Sequence, residues 1–198
     1  MNHLTKINSQ RAITKQRPDA EAVVLLCDTS SSMTAHFKSM SRVEAVSKAV
    51  EKILEVSSPK RTSYALYTYN DYVECMAART NIYSRIHAAN NFQPTGCTRM
   101  GGALSDVLRN EPGIHRIILL SDGQPTDGSY ALDSAVERAI ELHVKIDTIA
   151  IGDSDSTLMR SIAERTGGKF STANDPEALA GVYQQLETRN YLRLMHVA

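Results

Sequence analysis

The chain has 198 residues, 42% of them hydrophobic, and its 22 lysines and arginines balance 22 aspartates and glutamates to a formal net charge of zero. That length suits one larger α/β domain with an ordinary core, and the neutral balance gives no electrostatic reason for nucleic acid or an anionic membrane as main partner. No apolar stretch approaches the ~18 residues of a membrane span, no apolar segment follows Lys6, Arg11, Lys15 and Arg17 as in a secretory signal, and Cys27, Cys75 and Cys97 lack the spacing of a disulfide framework or zinc site. These features together point to the cytoplasm.

Residues 1–20 are polar and irregular and read as a flexible N-terminal arm, leaving 21–198 as the domain. The run Ala22-Val23-Val24-Leu25-Leu26-Cys27 is apolar without alternation, the pattern of a strand covered on both faces in a parallel sheet. Cys27 within it reads as a small buried hydrophobe. A helix follows, with Val43, Val46, Val50, Ile53 and Leu54 at helical spacing, a Ser41/Glu44 capping box before it and Pro59 beyond it. Ser63 to Tyr69 and Tyr72 to Met76 read as two strands joined by a tight Asn70-Asp71 turn, so one of them runs antiparallel to the rest. The tyrosines 64, 67, 69 and 72 resemble a stacking platform, but their strand placement favours packing within the sheet.

A weaker helix is expected from Ile82 to Ala89 and another from Met100 to Leu108, with Ala103, Leu104, Val107 and Leu108 facing inward. Ile117 to Leu120 is a second buried strand, followed by a helix carrying Leu132, Ala135, Val136, Ala139 and Ile140. Ile146 to Ile151 is a third, followed by a helix from Leu158 to Ala163 that Gly167-Gly168 stops. A short strand at Lys169 to Thr172 leads into a last helix, opened by Asp175-Pro176 and burying Leu179, Val182, Tyr183 and Leu186. Alternating strands and helices of this size predict a doubly wound, three-layer αβα sandwich, Rossmann-like, with a mostly parallel sheet and one short antiparallel edge strand. Ligands of such sheets sit beyond the carboxyl ends of the strands.

Three segments reach that edge with oxygen-rich side chains. The first strand ends in Asp28-Thr29-Ser30-Ser31-Ser32, a later loop carries Thr98 just before a helix, and the second buried strand ends in Ser121-Asp122-Gly123. In a locally extended segment alternate side chains share a side, so Asp28, Ser30 and Ser32 converge, and Thr98 and Asp122 join them if the loops are neighbours. Five hard oxygen donors suit Mg²⁺ above all, with Mn²⁺ or Ca²⁺ as alternatives, and disfavour zinc or copper. Only two of the five are anionic, so a divalent ion there would be just neutralised and remain attractive to one more acidic ligand. Helix capping and a glycine turn are the ordinary alternatives for Asp28, Ser30, Ser32 and Asp122; Asp127 reads as a turn residue, Asp153 and Asp155 as helix-capping residues, and His36 as a solvated loop residue.

The motif Asp28-x-Ser30-x-Ser32, the later Thr98, and Ser121-Asp122-Gly123, each placed after its expected strand or before its helix, resemble the metal-ion-dependent adhesion site of von Willebrand factor A domains. The likeness extends from about Ala22 to Leu192. It implies that Asp28, Ser30 and Ser32 hold the ion directly or through water, that Thr98 enters or leaves its first shell, and that Asp122 approaches directly or through water. Cys97 departs from the glycine that usually precedes the threonine, which bears on how Thr98 would swing. The function so implied is non-enzymatic: an intracellular regulatory or adaptor module whose cation takes an Asp or Glu of a protein partner, the partner belonging to an AAA+ ATPase or kinase-containing system. The chain has no Gly-x4-Gly-Lys-Ser/Thr loop, so any ATPase would be a separate protein. The competing expectation is a Mg²⁺-dependent phosphoryl-transfer hydrolase with Asp28 as nucleophile. Such enzymes usually carry a second acid where this chain has Ser30.

Overall fold

The computed structural model of the chain describes residues 21–56, 62–79, 91–123, 125–152, 156–175, 177–179, 181–182 and 185. In chain order these give β1 (Glu21–Asp28), β2 (His36–Phe37), β3 (Met40–Ser41), α1 (Arg42–Val56), β4 (Thr62–Tyr69), β5 (Val73–Ala77), α2 (Met100–Asn110), β6 (Arg116–Ser121), α3 (Ser129–Glu141), β7 (Lys145–Ile151), α4 (Ser156–Thr166) and β8 (Phe170–Ala173). The expected helix from Ile82 to Ala89, the capping by Asp153 and Asp155, Tyr183 and Leu186 of the last helix, and the N-terminal arm lie outside the described residues.

Six strands form one sheet in the order β5-β4-β1-β6-β7-β8. Every pairing in it is parallel except β4 with β5, which places the one antiparallel strand at the edge. The doubly wound α/β arrangement expected from the alternation of strands and helices is therefore the one observed. β1 lies at the centre and is buried along nearly its whole length, and alternate side chains feed two separate cores. Val23, Leu25 and Cys27 join the layer of α1, Met33 and Leu179, whereas Val24 and Leu26 join α2, α3 and α4 through Leu104, Val136 and Ile162. A strand with no polar face has only one stable home, the middle of a covered sheet.

The capping box at α1 forms as expected: the backbone N–H and hydroxyl of Ser41 both donate to Glu44 Oε2, at 2.7 and 2.8 Å. At the other end of the chain Asp175 Oδ1 accepts the Ala178 N–H at 2.7 Å, and helical backbone follows at 177–179. Asn70 closes the β4–β5 turn through the Tyr72 N–H. Tyr64, Tyr67 and Tyr69 are buried in the sheet, but Tyr72 is 80% exposed, because it belongs to the turn and not to the strand. His36 is likewise part of a short strand, β2, which pairs with β3. Among the described residues no helix is long and apolar enough to cross a membrane.

Candidate metal centre

The connection from β1 leads to β4 on one side, while the later strands β6, β7 and β8 fill the other side. The strand order therefore reverses between β1 and β6. Their carboxyl ends open a crevice there, the usual ligand position of an open α/β sheet. Asp28 ends β1 and Ser121 ends β6, and the two side chains meet: the Ser121 hydroxyl donates to Asp28 Oδ2 at 2.6 Å. Asp28 Oδ1 accepts the Ser30 N–H at 2.8 Å, which bends the chain so that residue 30 follows on the same side.

From that point the oxygen atoms form a line. Ser30 Oγ and Ser32 Oγ are 3.0 Å apart, and the Ser32 hydroxyl donates to Asp122 Oδ1 at 2.7 Å. Thr98 Oγ1 and Ser32 Oγ each lie 3.8 Å from the position a β-carbon on Gly123 would take, so the threonine borders the same space. All five residues singled out from the sequence, Asp28, Ser30, Ser32, Thr98 and Asp122, thus come together. All are buried except Ser32, which stands at the exposed rim.

Backbone hydrogen bonds lock the three segments to one another. Thr95 N–H donates to Thr29 O at 2.8 Å and Ser31 N–H to Gly96 O at 3.1 Å, joining the first loop to the second. Thr126 N–H donates to Thr98 O at 2.8 Å, and the Thr98 N–H to Thr126 Oγ1 at 3.2 Å, joining the second loop to the third. Gly96 has φ +70°, and a β-carbon there would fall 2.1 Å from Asp71 Oδ2, so only glycine fits this turn. Asp71 also accepts the Cys97 N–H, at 3.3 Å. The exposed Cys97 side chain is therefore carried on a turn that its glycine neighbour and Asp71 hold.

Asp28 is fully buried, and burial pushes its carboxyl up from 3.8 to about 6, against the hydrogen bonds from Ser121 and Ser30 that favour the ionised form; the nearby charge of Asp122 adds to the rise. Tyr69, whose hydroxyl points at Asp28 Oδ2 from 3.5 Å, is raised well above its ordinary value, first by burial and then by the Asp28 charge. A buried carboxylate at this strand end is costly to ionise unless a positive charge joins it.

Four residues shape the site through contacts that the sequence pattern does not reveal. Ser121 stood inside the quoted motif, but its bond to Asp28 depends on β1 and β6 being neighbours, which spacing alone does not reveal. Thr126 carries no motif at all. Asp127, expected as a turn residue, accepts the Gly102 N–H at 2.7 Å and so caps α2 from a distance. Arg42, the first residue of α1, reaches across to Asp122 Oδ2 at 2.5 Å. Among the described residues no three histidine, cysteine, aspartate or glutamate side chains gather as a metal cluster, so the site's donors are two carboxylates and a set of hydroxyls.

Comparison with known proteins agrees with this architecture. A von Willebrand factor type A protein from Catenulispora acidiphila superposes with a TM-score of 0.74 at 19% identity, covering 87% of this chain and 43% of its own, so the chain spans less than half of that protein. The SpRpn10 VWA domain matches with a TM-score of 0.69 at 18% identity, covering 84% of this chain and 95% of its own. The vWF domain of the type V pili tip protein Mfa5 from Porphyromonas gingivalis matches with a TM-score of 0.69 at 14% identity, covering 88% and 96%. At such identities these likenesses speak for the fold alone. No curated protein matches the chain in sequence. The sequence model of the von Willebrand factor type A domain matches residues 22–185, and the chain belongs to that family.

Proposed function

We propose that this chain is a metal-dependent docking module, in which one divalent cation held at the β1–β6 crevice takes a carboxylate from a protein partner. Domains of this family generally serve as protein-interaction modules. The observation that carries the metal-dependent reading is the convergence of Asp28, Ser30, Ser32, Thr98 and Asp122, brought from three loops to one point at the topological switch.

The donor set fits Mg²⁺. Every donor is a hard oxygen, and hydroxyls outnumber carboxylates, as suits an ion that keeps several waters and takes few protein charges. Asp28, Ser30 and Ser32 would hold the ion, with Thr98 and Asp122 acting directly or through water. When bound, the cation would supply a Lewis-acidic point for an acidic side chain of the partner. Ser32 stands exposed at the rim, on the side from which a partner approaches. Asp28, by contrast, is fully buried with both oxygens engaged, which opposes its use as a nucleophile.

The partner so recognised presents an Asp or Glu on a protruding segment; we place it in an intracellular assembly built around an AAA+ ATPase or a kinase. Capture from the source cells tests this reading. Wild-type protein is expected to retain a partner in millimolar Mg²⁺ and to lose it in EDTA, and Thr98→Ala is expected to weaken the capture. A partner retained equally in EDTA would overturn the metal-dependent reading.

A further inference from the structure

The charge count at the crevice changes once Arg42 is included. Its Nη1 donates to Asp122 Oδ2 at 2.5 Å, while Ser32 takes Asp122 Oδ1 at 2.7 Å. The Asp122 side chain is completely buried and the Arg42 side chain only 21% exposed, so water screens this pair poorly. The guanidinium is also confined sterically. A β-carbon on Gly152, at the end of β7, would sit 2.8 Å from Nη2 and 3.2 Å from Cζ and Nε. Gly152 has φ +73°, so glycine here meets both the backbone and the space requirement. Among the described residues the buried Arg42 Nε has no hydrogen-bond partner. Among the described residues the guanidinium thus has one acceptor, the Asp122 carboxylate.

We infer that Arg42 is a built-in electrostatic brake on the metal site: it cancels the charge of Asp122, lowers affinity for the bare cation, and makes the site's net charge positive when the cation is bound. This rests on the metal-dependent reading above. Two carboxylates against a divalent ion leave the site neutral, and adding the guanidinium leaves one positive charge over. A partner carboxylate then does more than fill a coordination position, because it restores neutrality. Metal and acidic partner therefore bind with positive coupling, and the isolated domain holds its metal loosely. Arg42 is a positioning residue in this scheme, since it acts on the ion through Asp122.

A purely structural Arg42, one that merely orients Asp122, predicts the opposite sign. Removing it would then spoil a ligand and weaken metal binding. Even with the screening of bulk water, one unit charge about 6 Å from a divalent ion shifts an equilibrium by about tenfold, and a less screened pair shifts it by more. Calorimetric titration of metal-stripped protein with Mg²⁺ alone separates the two. Arg42→Gln is expected to bind Mg²⁺ at least about tenfold more tightly than wild type, and Arg42→Met, which keeps the apolar stem, is expected to do the same should the glutamine variant not fold. Arg42→Lys keeps the charge and is expected to stay close to wild type. If the neutral variants bind no more tightly than wild type, or if the lysine variant tightens as much as they do, the brake is overturned while the metal site stands. Mg²⁺ uptake by the neutral variants but not by wild type would uphold the brake and overturn the wild-type protein's use of metal. No uptake by any of the proteins would overturn both.

Discussion

In metal-free protein, Asp28→Asn is expected to raise the thermal unfolding midpoint, and the same substitution is expected to abolish the further rise that Mg²⁺ gives the wild type. The first half follows from burial. The Asp28 carboxyl is raised from 3.8 to about 6 because its charged form is desolvated. A group whose folded pKa lies above its unfolded value contributes stability when protonated, and that contribution is lost as pH rises through the folded pKa. For Asp28 it is fully present below pH ~4 and gone above pH ~6, a difference of up to about 3 kcal/mol. Asparagine keeps an acceptor for the Ser30 N–H without the charge. Its advantage is therefore largest at pH 7.5 and about half as large at pH 5, and melting curves in EDTA at the two values read it as several degrees against about half as many.

The second half follows from what a cation does to the same carboxylate. Mg²⁺ joined to Asp28 converts a buried, uncompensated charge into a coordinated one. At about a hundredfold excess over the dissociation constant, ligand linkage adds ~2.7 kcal/mol. Asparagine lacks the charge that makes the site worth the ion's dehydration. The opposite signs make the test stringent: a generally damaged protein would fall in both conditions. A midpoint that drops in EDTA would contradict the burial argument, and an undiminished response to Mg²⁺ would contradict the ligand assignment.

The second large effect is expected from adjacent glycines in α2. A β-carbon at Gly101 would lie 2.5 Å from Leu132 N and 2.6 Å from Ala131 C, both backbone atoms of α3. Those atoms cannot rotate aside, so the helices must separate. α2 begins just after Thr98 and α3 follows the Asp122 loop, so this close contact also sets how near those two site residues stand. Gly101→Val is expected to cost about 3 kcal/mol, at the upper end of overpacking losses, and to weaken Mg²⁺ binding in whatever folds. At Gly102 the added carbon would meet only the ends of the Arg99 and Asp127 side chains, at 3.4 and 3.5 Å. Gly102→Ala is expected to stabilise by about 0.5–1 kcal/mol, the helix preference of alanine over glycine. Denaturant unfolding of the two variants checks the contrast; a Gly101→Val protein no less stable than wild type would show that helix propensity, not the α2–α3 contact, governs this segment.

The sheet was legible because burial on both faces leaves an unbroken apolar run, as in β1 and β6, and few other structures explain such a run. The antiparallel edge was legible from the Asn70-Asp71 turn, although Tyr72 faces solvent, since strand propensity does not tell where a tight turn ends. The convergence of the five oxygen-bearing residues was legible because each lies at or just beyond a strand's carboxyl end or just before a helix, and the topology brings those segments together. What escaped the sequence is whatever depends on the third dimension. Ser121 meets Asp28 only because β1 and β6 are neighbours. Arg42 looks like an ordinary first residue of a helix, and nothing in its spacing announces Asp122, 80 residues away. The hairpin of β2 and β3 carries no sequence signal, since two-residue strands leave no periodicity to detect.

Anomalous scattering from a crystal of the wild-type protein soaked in Mn²⁺, an oxygen-seeking stand-in for Mg²⁺, tests the central claim most directly. One strong peak bounded by the side-chain oxygens of Asp28, Ser30 and Ser32, with Thr98 and Asp122 beside it, is the predicted result. A map with no peak in that crevice, or with the ion seated elsewhere, would contradict it.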